Sequence, residues 1–302
     1  MSAFQKYAFY VPSNMRAGDV MLKTTNASDT DLRGAAIEAN LSGRISANKL
    51  TLLEKQSNAI LTNGATTMNV YEGISGMLPN AMRVEGGNKL IVDRRGTFKF
   101  NEDNAKSLVE TMAGAATFLG TGANLLTGAG LRSASTEAAS GGGFAPFAAI
   151  GGSSLRHETG SHVEMKGMNL AVGFSREVMQ GDNRILFGPL VEYGLGTYDS
   201  YVNTAHGDGS ISYIGMGGFL RKETQNGRFY EGSLRFGQSK MDYDADITMG
   251  FSKVHTFYDT DTNYLGAHLG IGQQITTENG NKREIYLRYF YTHQNGSSTT
   301  LS

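Results

Sequence analysis

From about Phe144 to its end the chain is a series of segments, each about ten residues long, in which apolar residues alternate with small or polar ones. Ile185–Tyr201 is the clearest. Ile185, Phe187, Pro189, Val191, Tyr193 and Leu195 occupy odd positions, and Gly188, Glu192, Gly194, Gly196 and Ser200 occupy even ones. A β-strand sends successive side chains to opposite faces, so this spacing gives one oily face and one small, polar face. The pattern recurs about seven times, and no stretch has the ~18 apolar residues that a membrane-spanning helix requires. Repeated amphipathic strands of this kind predict an antiparallel sheet with lipid on one side and water on the other, the layout of an up-and-down outer-membrane β-barrel.

Composition fits that expectation. Of 302 residues 40 are Gly, 4 are Pro, none is Cys or Trp, and charged residues make up 18%. A helical membrane protein would be far more apolar, whereas a barrel turns half of its strand residues toward a wet lumen. A net charge of −1 gives no electrostatic basis for binding nucleic acid. Without Cys there are no disulfides or thiolate metal sites, which suits a chain that crosses a periplasm unfolded.

Residues 1–100 read differently. Short β segments, Tyr7–Val11, Asp19–Leu22, Lys49–Leu53, Thr67–Val70 and Lys89–Val92, are separated by Gly, Asn, Asp and Ser. Such spacing fits a β-solenoid or a small sandwich, although no clean period stands out. Residues 101–131 turn helical: Asn101 is placed as an N-cap, with Glu102 and Asp103 in the first turn. Leu108, Met112, Ala115, Phe118 and Leu119 fall on one side, and Asn104, Lys106, Ser107, Glu110, Thr111 and Gly114 on the other. A helix of roughly 40 Å is long enough to thread a membrane but too polar to meet lipid, so it would need a hydrophilic pore; packing on a soluble core is the other reading. Residues 132–143, ending in Gly-Gly-Gly, read as a flexible joint. The N-terminus carries no apolar signal-peptide core, so an export signal is expected upstream of Met1.

Several phrases, in order, resemble one family. Phe144-Ala-Pro-Phe-Ala-Ala-Ile-Gly-Gly followed by Thr159-Gly-Ser-His-Val-Glu-Met-Lys-Gly-Met-Asn-Leu is similar to the start of the autotransporter β-domain of Gram-negative bacteria. Gly188-Pro-Leu-Val-Glu-Tyr-Gly, Glu231-Gly-Ser-Leu-Arg-Phe-Gly, Tyr264-Leu-Gly-Ala-His-Leu-Gly and Tyr289-Phe-Tyr-Thr-His-Gln-Asn-Gly fit the same pattern. Phe9-Tyr-Val-Pro-Ser-Asn-Met-Arg-Ala-Gly-Asp-Val-Met-Leu resembles the end of the secreted passenger that precedes such barrels. The resemblance implies a type V secretion protein: a β-helical passenger end over 1–100, a linker with a pore-threading helix over 101–143, and a 12-stranded barrel. About seven of those strands lie in 144–302, so the barrel looks truncated. It also implies partners, namely outer-membrane lipid, the outer-membrane assembly machinery and the chain's own passenger, and a location in the outer membrane with the passenger at the cell surface.

No catalytic or ligand constellation stands out. His-Glu-x-x-His, Gly-x-Ser-x-Gly and the phosphate-loop motif are missing, and the six His do not cluster. His157 and His162 read as a solvated hairpin tip rather than a metal site. Neither an enzyme, a cofactor nor a small-molecule substrate is expected. The informative residues are those that alternation points inward: Asn169, Glu192, Glu231, Arg235, His268, Glu284 and Arg288. Arg235 and Arg288 would cost about 2–4 kcal/mol on a lipid face at midplane, so they belong in the lumen, paired with Glu231 or Glu192. Some members of the family cut their own linker at an Asn in the helix. Asn124 is the best-placed Asn here, but its surroundings do not match that motif. Two other readings compete: a surface adhesin whose binding lies in the passenger, and a soluble β-barrel or sandwich whose oily face is its core.

Overall fold

The computed structural model describes residues 4–25, 28–42, 45–140, 142–158, 161–202, 205–276 and 282–296. They form two compact units: residues 1–106 with 202–205 and 246–255, and residues 107–201, 206–245 and 256–302.

The first unit is a stack of coils. One coil runs through β1 (Lys6–Val11), β2 (Val20–Thr24) and β3 (Thr30–Asp31). The next runs through β4 (Ala36–Leu41), β5 (Lys49–Lys55) and β6 (Ile60–Leu61), followed by β7 (Thr67–Glu72), β8 (Gly76–Met77), β9 (Met82–Glu85), β10 (Lys89–Asp93) and β11 (Lys99–Phe100). The parallel pairs β1–β4–β7, β2–β5 and β3–β6 stack coil on coil. Their registers match Lys6 to Ala36, Ala36 to Thr67, and Val20 to Thr51. A repeat of about 30 residues therefore exists that the sequence hides, because the coils share spacing rather than residue identity. One echo is visible. Thr30-Asp-Leu-Arg-Gly and Ile60-Leu-Thr-Asn-Gly each end on a glycine at positive φ, and Gly34 N–H donates to the Gly64 carbonyl at 3.0 Å. Inward residues such as Ile37, Ala39, Leu50, Leu52, Val70, Leu90 and Val92 make one continuous core.

Carboxylates pin the outside of the coils. Arg95 and Arg83 grip Asp93, and the Arg95 side-chain and backbone hydrogen bonds, then Arg83, hold its carboxyl well below the usual carboxylate range. Arg33 does the same for Asp31, lowering it to about 2.

A single helical rod follows: α1 (Glu102–Leu125), a π turn over Leu126–Gly130, and α2 (Leu131–Ser140). Asn101 caps it, its Oδ1 accepting the Asn104 N–H at 3.3 Å. The rod is about 58 Å long at 1.5 Å per residue. The flexible joint expected over 132–143 is thus helical as far as Ser140. Its Leu131, Ala134 and Ala138 recur at helical spacing and are buried, a signal that the Gly-Gly-Gly ending masked. At the π turn Thr127 Oγ1 donates to the Ala123 carbonyl at 3.1 Å, occupying an acceptor that a wider turn frees.

The second unit wraps this rod. β12 (Ala145–Glu158), β13 (His162–Gln180), β14 (Asn183–Val202), β15 (Ala205–Glu223), β16 (Arg228–Met249), β17 (Ser252–Thr276) and β18 (Lys282–Gln294) form one sheet in chain order. The β12–β13, β13–β14 and β17–β18 pairs are antiparallel. The sheet is a curled half-barrel, and β12 and β18 each pair on one side. The class of protein is therefore mainly β, with one interrupted helix before an antiparallel half-barrel.

The strands run longer than the alternation first indicates. Tyr201–Ser210 and Asp242–Thr262 read as long connectors, yet most of both is strand. The alternation does continue through Met241-Asp-Tyr-Asp-Ala-Asp-Ile-Thr-Met, but there the apolar residues have moved to the other face. The sequence also marks a short turn over Glu278–Lys282, which lies outside the described residues except for Lys282.

Candidate functional site

On its concave side the sheet meets the helix, and every inward candidate is found there. Asn169 is 3% exposed. Its Nδ2 donates to Thr121 Oγ1 on α1 at 2.9 Å, and Tyr213 Oη donates to its Oδ1 at 2.7 Å. Next to this pair sits Glu192, which accepts from Arg235 Nη1 at 2.8 Å and from Tyr264 Oη at 2.6 Å. A carboxylate this deep requires such partners, since an unpaired buried charge costs several kcal/mol. A second cluster centres on Glu231. It binds Arg221 at 3.2 Å, lies within hydrogen-bond reach of the Arg288 Nε, and has His268 Nε2 3.6 Å away. Arg221 also reaches Glu284 at 2.6 Å, and His268 Nδ1 meets Ser233 Oγ at 2.6 Å. All seven inward candidates thus join one of two networks. Glu192, not Glu231, is the partner of Arg235.

Sequence reading missed Tyr213, Tyr264 and Arg221. Tyr213 lies in the least regular strand, where the apolar residues fall on both faces. Nothing local shows that it reaches Asn169 or stacks edge-on with Phe118 (5.8 Å) and Tyr264 (6.0 Å). The glycines carry the complementary signal. A Cβ on Gly194 would sit 2.1 Å from the Tyr213 ring, and one on Gly122 would sit 2.0 Å from its hydroxyl. Gly167 likewise leaves room for Phe118, where a Cβ would approach the ring to 2.6 Å. These residues are small so that helix and wall can interlock, as expected of glycines facing a central helix.

The helix presents a stripe rotated from the one its apolar residues mark. Thr111, Gly114, Ala115, Phe118, Leu119, Gly122 and Ala123 face the sheet, whereas Met112 is 45% exposed. The wall is itself small and polar, so Thr111, whose Oγ1 lies 2.7 Å from Tyr258 Oη, is a better fit than Met112. Leu108 lies in α1, but its side chain is outside the described set. Asn124 is exposed. His162 stacks on Tyr201 at 4.6 Å, and His157 is exposed; among the described residues no group of three His, Asp or Glu is placed to hold a metal ion.

The convex side is oily over its middle. Val191 is 45% exposed, Leu234 64% and Leu269 70%; Ile214, Met216, Phe236, Leu265 and Ile271 point the same way. Along β16 the oily side then changes face. Tyr230, Leu234 and Phe236 point outward, while beyond them Lys240, Asp242 and Asp244 point outward and Met241, Tyr243, Ala245 and Ile247 are buried. β17 repeats the switch, with Asp259 and Asp261 outward beside buried Tyr258, and Leu265, Leu269 and Ile271 outward further on. Among the described residues no helix is long and apolar enough to cross a membrane.

No protein-family model, no curated protein and no solved structure matches this chain.

Proposed function

We propose that the chain is the translocator part of an autotransporter-type surface protein. It anchors in the outer membrane of a Gram-negative cell through its strands and carries its own N-terminal coils to the outside. One observation supports this above the rest: a wall of outward Leu, Ile, Val, Phe and Tyr ends on β16 and β17 where outward Asp begins. A sheet in water throughout has no reason to turn its oily side outward over one stretch and inward over the next. A sheet that passes from lipid into water has that reason, because the outer medium changes while the chain keeps its period of two. The polar networks around the helix fit a wet interior through which a peptide passes. The activity is conformational: the wall binds a threaded segment and makes no bond. The soluble reading requires Val191, Leu234 and Leu269 to fill a closed interior, and their exposure counts against it. Among the described residues β12 and β18 each pair on one side, and a backbone group left unpaired in lipid costs several kcal/mol.

The absence of native Cys makes the test direct. Single cysteines at 191, 234 and 269, in lipid-bound protein, are expected to resist a water-soluble maleimide, while cysteines at 240 and 244 react. Equal labelling at both groups would remove the lipid-facing wall. An epitope placed before Met1 is expected at the surface of cells that make the protein.

A further inference from the structure

The balance of outward charge differs between the two ends of the second unit's sheet. At the near end, where the β13–β14 and β15–β16 turns lie, Arg176, Lys222, Arg228 and Arg283 occupy outward positions on four strands. Four carboxylates near that level, Glu177, Glu223, Glu231 and Glu284, point inward, where Arg184 and Arg221 pair with them, while Asp182 is exposed in the β13–β14 turn. None of the four outward cations has an ion pair or side-chain hydrogen bond among the described residues. Toward the far end the outward residues include Asp208, Asp242, Asp244, Asp259 and Asp261, mixed with Arg156, Lys166 and Lys240; Lys240 lies 3.8 Å from Asp261.

Immediately inward of the cations, along the wall, lies an apolar groove of about 860 Å³. Gly218, Gly232 and Ala267 floor it, and Phe187, Leu220 and Leu269 stand beside it. Alternation puts Leu220 and Lys222 on one face of β15, and Arg228 and Gly232 on one face of β16. Arg176 lies 5.9 Å above the ring of Phe144, which also lines the groove. These cations, which have no ion pair among the described residues, flank an apolar groove.

We propose that this groove and its cations bind an anionic phospholipid, with the phosphate among Arg176, Lys222 and Arg228 and one acyl chain over Gly218, Gly232 and Ala267. The inference rests on the lipid-facing reading above and adds the lipid class and the end of the wall. Charge complementarity selects the occupant. The row spans β13 to β16, roughly 14 Å at about 4.8 Å per strand, which suits a phosphate held by long, mobile side chains. A zwitterionic headgroup brings a cation that the row repels, and a protein partner would leave the oily groove without its chain.

The test is flotation of the purified chain with vesicles of phosphatidylcholine alone or with roughly 30% phosphatidylglycerol. We expect the anionic vesicles to bind it on the order of 10- to 100-fold more tightly, with the preference erased at about 0.5 M salt. Arg176→Gln/Lys222→Gln/Arg228→Gln is expected to remove the preference. Lys166→Gln/Lys240→Gln, the same kind of change toward the far end, is expected to keep it. A Gly232→Leu variant, which fills the groove and keeps every charge, is expected to weaken binding to the anionic vesicles. Equal binding to both vesicles, or a triple variant that keeps the preference, would overturn this site and leave the membrane reading intact. Binding to neither vesicle would overturn both.

Discussion

Arg235 and Glu192 meet at 2.8 Å with 1% and 2% of their side chains exposed, an ion pair contributed by β16 and β14 and shared with the hydroxyl of Tyr264. Removing one partner strands the other charge. Arg235→Met is expected to destabilise the chain by about 3–5 kcal/mol, whereas Glu192→Gln/Arg235→Met recovers much of that loss because no uncompensated charge remains. Urea unfolding of the two variants in one detergent measures the difference. A double variant as weak as the single one would show that the pair is not the reason for the loss.

Two glycines of α1, Gly120 and Gly122, two residues apart and in different surroundings, give opposite signs. Nothing lies within 4 Å of a Cβ on Gly120, so Gly120→Ala is expected to stabilise the helix by about 0.5–1 kcal/mol. A Cβ on Gly122 collides with the Tyr213 hydroxyl, so Gly122→Ala is expected to cost about 1–3 kcal/mol through overpacking. Tyr213→Phe removes the colliding atom and should relieve part of that cost. Thermal melts of the three variants decide it, and a stabilising Gly122→Ala would contradict the interlock.

The change of face on β16 makes position matter more than charge. Leu234→Arg puts a cation on the oily wall and is expected to cost about 2–4 kcal/mol of lipid-bound stability at mid-wall. Asp244→Arg, ten residues on and also outward, is expected to cost less, because the outward side chains of β16 at that level are charged rather than oily. Folding yield into vesicles, read as protease protection of the strands, separates the two.

Asp93 gives the first unit a dependence on acid. Its folded carboxyl is held below the ordinary range by Arg95 and then Arg83, while in the unfolded chain it titrates near 3.9. The unfolded state therefore takes up the proton first as pH falls. Stability from this group is fully present above about pH 4 and is lost below it, down through the folded value. The protection factors of the β9 and β10 amides, taken relative to intrinsic exchange at each pH, are expected to fall below about pH 4 in the native chain, and Asp93→Asn is expected to flatten that dependence. Protection factors that stay constant between about pH 5 and 2 would count against this role for Asp93.

How far the sequence carried depended on the range of the interaction. Alternation from Phe144 onward disclosed the strands, and it put Asn169, Glu192, Glu231, Arg235, His268, Glu284 and Arg288 on one face, because the period of two is a property of the chain itself. The Asn101 cap and the acidic first turn were equally local. The alternation through Met241–Met249 is also present in the sequence, with its apolar residues on the other face, although that stretch reads as part of a long connector. Similarly, Leu131, Ala134 and Ala138 marked α2 beneath a small-residue composition that resembles a linker.

Other features were settled only by tertiary structure. Tyr213 and Asn169 are 44 residues apart, and their bond depends on strand register and curl, which no local pattern encodes. The same holds for the choice of Glu192 as partner to Arg235, for Thr111 rather than Met112 facing the wall, and for the 30-residue repeat of the coils. The alternation of side chains follows from backbone geometry at each residue, so the sequence determined which residues share a face. Which of them touch follows from how distant strands are aligned and how close the backbones come, and that is decided only when the sheet closes around its helix.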